Sequence, residues 1–161
     1  MAHRRLRRAP PDVHAGHRDR RAAARQQGAG LTFARGDLTN LAGLPTASVA
    51  SLSCLHTIEH VGLGRYGDAI DPDGWSKALR ELVRVLQAGG RLYLSVPIGA
   101  ERLVFNAHRY FSPRTILDAL PELRLQRFDA VDDAGDLRVD APLDGFDAAR
   151  DSCGIFELTK A

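Results

Sequence analysis

One stretch, Asp71 to Pro97, constrains the fold more than any other. Asp71-Pro72-Asp73 offers a helix N-cap and a first-turn proline, and Trp75, Ala78, Leu79, Leu82, Val83 and Leu86 follow at i, i+3, i+4, i+7, i+8 and i+11. Gly89-Gly90 supplies the left-handed residue that a helix end favours. Arg91 to Val96 then alternates, with Leu92, Leu94 and Val96 on one face, and Pro97 is expected to stop it. A helix returning into a strand across a two-glycine joint is the second half of a β-α-β unit, which predicts an α/β fold around a parallel sheet.

The flanking segments extend this pattern. Leu31 to Arg35 alternates like a short strand and ends at Gly36-Asp37, and Ser48 to Leu55 reads as a second strand. The polar run His56-Thr57-Ile58-Glu59-His60 follows, then a loop through Gly62, Gly64 and Gly67. Ser112-Pro113 opens a shorter helix carrying Ile116, Leu117 and Leu120, which Pro121 ends. Leu123, Leu125, Phe128 and Ala130 make a strand whose phase slips once, the mark of a bulge. Asp132 to Gly135 is a turn, and Gly154 to Thr159 is the last strand.

Residues 1–29 have another character. Their large apolar side chains are Met1, Leu6 and Val13 alone, too few to offset the entropy of ordering. Eight arginines against Asp12 and Asp19 put this stretch at +6, so the rest of a +2 chain stands at −4. The domain organisation expected is a disordered basic segment over 1–29 and a partial α/β domain over 30–161. Three origins fit the segment: an Arg-rich arm, an organelle transit peptide, or an out-of-frame translation of GC-rich DNA. A mildly acidic folded part gives no warrant for nucleic-acid binding. No apolar run reaches the roughly 18–20 residues that cross a bilayer, so no membrane role is expected. Cys54 and Cys153 are too few for a disulfide framework and form no C-x-x-C pair, which points to a reducing cytoplasm.

Ligands of open parallel sheets bind beyond the carboxyl ends of the strands. Three polar segments lie there by chain order: Gly36-Asp37, His56 to Asp68, and the stretch after Pro97 that holds Asn106, His108 and Arg109. Asp37 is either an acceptor for an exocyclic amine such as adenine's or a plain turn aspartate. His56, Glu59 and His60 offer a general base near neutral pH, or a polar turn with a histidine bonded to a carbonyl. Asn106, His108 and Arg109 suit an anionic or hydroxylated substrate, or are solvated loop polarity. His56-x-x-Glu59-His60 also matches the H-x-x-E-H pattern of inverted zinc peptidases. That reading needs both histidines on one helical face, and the strand before and the glycines after leave room for under two turns.

Gly36-Asp37-Leu38, Leu55 to His60 and Leu82 to Pro97 (LVRVLQAGGRLYLSVP) resemble class I S-adenosylmethionine-dependent methyltransferases. The last segment is similar to their "RVLKPGGRL" joint, with Gln87-Ala88 in place of Lys-Pro. Glu59 to Asp68 (EHVGLGRYGD) and Phe105 to Tyr110 (FNAHRY) resemble, more narrowly, a methyltransferase-like family of unknown function first defined on nematode proteins. The resemblance implies a Rossmann-like sheet of order 3-2-1-4-5-7-6, with S-adenosylmethionine across the ends of its first four strands. It implies cofactor contacts from Asp37, Leu38 and Leu55, catalytic roles for His56, Glu59 and His60, and no metal. A small-molecule acceptor would meet Arg65, Asp68, Asn106, His108 and Arg109.

The chain departs from that pattern in three places. Ala50 stands where such proteins commonly carry an aspartate. The glycine-rich loop after the first strand and the ribose-binding acid after the second should precede Leu31, and Asp12 to Gly30 matches neither. The expectation is therefore an incomplete sheet of family strands 3, 4, 5, 7 and 6, in which 4-5-7-6 is stable. The 31–35 strand should move beside strand 4 or stay loose, and the freed edge of strand 4 is a candidate docking edge for a protein partner. Methyl transfer in such a truncated chain is expected to be impaired, and the alternative is a non-catalytic remnant domain.

Overall fold

The computed structural model describes residues 13–15, 33–104 and 107–161. Eight strands occur among them: β1 (Val13–Ala15), β2 (Val49–Leu55), β3 (Leu86–Ile98), β4 (Arg102–Leu103), β5 (Arg109–Tyr110), β6 (Leu123–Val131), β7 (Leu137–Arg138) and β8 (Ser152–Lys160). Two α-helices, α1 (Gly74–Val85) and α2 (Pro113–Asp118), and two 3-10 turns, Ile58–His60 and Leu143–Phe146, complete them. Six strands form one sheet in the order β1-β2-β3-β8-β6-β7, while β4 and β5 pair separately. The segment β2-β3-β8-β6 is the 4-5-7-6 order expected from the sequence.

Burial alternates along each central strand. Leu52 and Cys54 of β2, Leu92, Leu94, Val96 and Ile98 of β3, Phe128 and Ala130 of β6, and Phe156 and Leu158 of β8 share one buried cluster with Ala78, Leu79, Leu82 and Val83 of α1 and Ile116 of α2. Truncating one of the fully buried leucines to alanine costs about 2–5 kcal/mol. The other face is more open: Ile155 is exposed, and the ion pair Arg91–Glu157 (3.0 Å) joins β3 to β8.

Several local expectations are corrected. Residues 33–36 form no strand, and Leu31 and Thr32 lie outside the described residues. The edge of β2 is not bare, because β1 pairs parallel to it with Val13 opposite Leu52 and Ala15 opposite Cys54. Val13–Ala15 thus forms a strand within the segment expected to be disordered, and the remainder of that segment lies outside the described residues. A three-residue strand needs no apolar period of its own, since an existing edge supplies its hydrogen bonds.

The helix also ends earlier than its apolar spacing suggests. Leu86 is already extended (φ −69°, ψ 130°), and Gly89 takes φ 71° inside a register skip that sets Val49 opposite Leu86 but Ser51 opposite Arg91. At its other end the Asp73 side chain makes no capping bond, and Asp71 fastens the entry to the helix by accepting from Asp73 N (3.1 Å) and Lys77 Nζ (2.6 Å). Pro97 does not stop β3. Its carbonyl accepts from Phe111 N (3.1 Å), so its ring nitrogen faces past the end of β2, where no ladder bond is due. The anticipated slip in β6 is a bulge between Leu125 and Arg127.

Candidate active site at the carboxyl rim

β2, β3 and β6 run the same way, and β8 runs against them, so the ends of the first three and the start of β8 share one rim. At that rim β2 stops on His56, whose φ of 47° is left-handed. This single reversal swings the chain into the 3-10 turn Ile58–His60. Ile58 is fully buried and anchors the turn, while Glu59, at 1% exposure, is carried in beside it.

Glu59 stands between two histidines. Its Oε1 lies 3.3 Å from His56 Nδ1 and 3.7 Å from His60 Nε2, and its Oε2 has no hydrogen-bond partner among the described residues. A carbonyl only accepts, so the 3.0 Å contact of His60 Nδ1 with Ala107 O puts a hydrogen on Nδ1. Arg65 donates to the same carbonyl at 3.0 Å. His56 has a partner on its other side: Nε2 is 3.2 Å from Cys153 Sγ, at the start of β8. Its pKa is pushed up to about 10, first by the Cys153 hydrogen bond and then by Glu59. Burial, and next the charge of Glu59, lift the Cys54 thiol to about 12.

His108 and Arg109 pack against this turn and the glycine loop after it. His108 meets His60 edge-on with ring centres 5.9 Å apart, and desolvation followed by the charge of His60 lowers its pKa. Arg109 donates to Val61 O (2.6 Å) and Pro72 O (3.4 Å), tying β5 to both ends of the glycine loop. Asp68 accepts from Gly62 N (2.8 Å) and Tyr66 N (3.3 Å). Partial desolvation works against its charge, but these backbone donors outweigh it and hold the carboxyl below its usual value. Gly62 must stay glycine: with φ 78°, an added Cβ would sit 2.0 Å from Asp71 O.

The structure thus brings His56, Glu59, His60, Arg65, Asp68, His108 and Arg109 together, with Leu55 half exposed beside them. Arg109 and Asp68 spend their polar atoms on the loop and act as its fasteners. Asn106 lies outside the described residues. Asp37 forms no contact with the cluster: its Oδ1 caps its own turn through Thr39 N (2.8 Å) and Thr39 Oγ1 (2.7 Å). Leu38 packs partly against the core. Further along that segment, Leu41 N donates to Glu81 at 2.7 Å and Arg84 donates to the carbonyls of Leu41 and Leu44, pinning it to α1.

The peptidase geometry is absent, since His56 lies outside a turn of three residues and both histidines face a carboxylate. Sequence reasoning missed Cys153. The signal was available, because an antiparallel last strand beside β3 must start at the rim where β3 ends.

Residues 46–120 match the family described as "Caenorhabditis protein of unknown function, DUF268", the one their signatures resemble. No curated protein matches the chain in sequence. Among solved structures, the 4+2 cyclase SpnF is similar at TM-score 0.59 and 16% identity over 86% of this chain and 60% of its own. A putative methyltransferase in complex with the Trm112 methyltransferase activator of Haloferax volcanii follows at 0.55 and 16%, over 87% and 66%. A putative methyltransferase from Bacillus halodurans C-125 gives 0.53 and 13%, over 78% and 70%. The chain spans 60% of the length of the cyclase and 70% of that of the Bacillus protein. The fold is the class I S-adenosylmethionine-dependent methyltransferase fold.

Proposed function

We propose that this domain transfers a methyl group from S-adenosylmethionine to a small acceptor. The observation that carries the reading is the Glu59 carboxylate, buried at the carboxyl rim and shared by two histidines. A proton acceptor belongs at that place when a nucleophile must shed its proton as it is methylated.

The described residues fit the cofactor at its adenine end. Asp37 can still accept from an exocyclic amine beside its own turn, and Leu38 and half-exposed Leu55 offer apolar walls. When bound, S-adenosylmethionine supplies an electrophilic methyl group on a sulfonium. The chain's own residues handle the proton. Both ring nitrogens of His56 are engaged, by Cys153 and by Glu59, so the acceptor's proton falls to His60. With Nδ1 fixed by Ala107 O, His60 presents Nε2 as its basic atom, and Glu59 stabilises the imidazolium that forms. Arg65, His108 and Arg109 line the acceptor side.

Calorimetric titration with S-adenosylhomocysteine tests the reading. Saturable binding is expected, and no binding at any concentration overturns the reading. The cyclase among the similar structures shows that this fold also serves other chemistry. A docking-edge reading loses its premise over Leu52 to Cys54, where β1 already pairs.

A further inference from the structure

We infer that Cys153, His56 and Glu59 form a thiol–imidazole–carboxylate relay, in which Cys153 is a nucleophile that accepts acyl groups from activated esters or thioesters. The inference shares Glu59 with the methyl-transfer reading but uses neither His60 nor the cofactor, so acylation of Cys153 and binding of S-adenosylhomocysteine fail separately.

The geometry has the three links such a relay requires. Glu59 Oε1 accepts from His56 Nδ1 at 3.3 Å, which fixes the tautomer and leaves Nε2 for the thiol 3.2 Å away. Glu59 is almost fully buried, and its second oxygen has no partner among the described residues, so its charge is poorly shared and falls on the histidines. The thiol is held rigidly. Asp133 accepts from Arg150 N (2.9 Å), Asp151 N (3.0 Å) and Ser152 Oγ (2.6 Å), which clamps the three residues before Cys153. Pairing with Pro97 fixes Cys153 itself. His56 has a side chain 54% exposed, so an acyl donor can reach the pair from solvent. Cys54, the other cysteine, is buried at 0% exposure and has no such access.

The step balances without a cofactor. Sγ, its proton carried by His56 Nε2, adds to the acyl carbonyl carbon. The bond from that carbon to the leaving oxygen or sulfur breaks, and the leaving group departs with the Nε2 proton. The S-acyl enzyme then takes water at the same carbon. His56 accepts a proton from that water, the C–S bond breaks, and the proton returns to the thiol side of the pair. One acyl ester and one water give one acid and one alcohol or thiol.

The test is acylation of the full chain by p-nitrophenyl acetate at pH 7, followed by nitrophenolate release and intact mass, with peptide mapping of the label. The acetyl group should appear on Cys153 and not on Cys54, roughly 10-fold faster than on a free cysteine at the same pH. Cys153→Ser should abolish the burst while circular dichroism and thermal unfolding stay unchanged. His56→Gln should bring the Cys153 rate down to that of the free thiol. Glu59 acts through His56, so Glu59→Gln should move the pH midpoint of Cys153 alkylation by iodoacetamide. Should Glu59→Gln not fold, the His56→Gln rate decides alone. Labelling no faster than free cysteine, or equal in wild type and His56→Gln, overturns the relay.

Discussion

The Arg109 guanidinium donates to the carbonyl of Val61 at 2.6 Å, and through it β5 and the glycine loop become one piece. Its second contact, to Pro72 O, reaches the segment that starts α1. Arg109→Met strips a partly buried carbonyl of its donor and should cost about 2 kcal/mol by urea denaturation. Arg109→Lys should fall between the two, because an ammonium reaches one carbonyl where the fork reaches two. Equal stability of all three proteins would deny Arg109 this role.

Gly62 should be intolerant of a methyl group. Its left-handed φ and the 2.0 Å approach to Asp71 O leave the backbone no small adjustment. Gly62→Ala should destabilise by roughly 2–3 kcal/mol, from the left-handed conformation together with the clash. Gly67→Ala makes the control, since its φ of 80° carries the conformational cost while nothing lies within 4 Å of the added atom. The two variants should separate clearly in thermal unfolding.

The raised pKa of His56 gives stability a definite pH dependence. Folding favours the protonated ring, so its contribution is complete below the ordinary histidine value of 6.5 and is lost as pH rises through about 10. Denaturation of wild type and His56→Gln should therefore differ most near pH 6, and the gap should close between pH 6.5 and 10. A gap that widens across this window would contradict the assigned contacts with Cys153 and Glu59.

Asp133 behaves in the opposite sense. The Ser152 hydroxyl, then the backbone of Asp151 and Arg150, hold its carboxyl down at about 2, against an ordinary 3.8. Its contribution is present above pH 3.8 and fades as pH falls through 2. Asp133→Asn should remove that acid-side slope. It should also raise amide exchange at Arg150 or Asp151, whose N–H groups bond to different carboxylate oxygens, since asparagine keeps only one of the two.

The periodic elements were legible in the chain because burial on one face imposes a period. The spacing of Trp75 to Leu86, the alternation of Arg91 to Val96 and the slipped phase of Leu123 to Ala130 reappear as α1, β3 and the bulged β6. The rim position of the histidine–glutamate run was legible because a polar cluster straight after an apolar strand must sit at the strand's end. Asp37 fulfils the plainer of the two roles read from its place in the chain, its Oδ1 capping its own turn, and the adenine contact stays a proposal.

Periodicity by itself determined the α/β class and the rim on which the polar residues gather, while the order of the four central strands was implied by the family resemblance. Tertiary structure alone decided that Val13–Ala15 lines the edge of β2 and that Cys153 meets His56 across 97 positions of chain. The reason is physical. Periodicity records only which side of an element faces the core, whereas a three-residue strand or a single thiol is placed by the partner it finds, and that partner is far away in sequence.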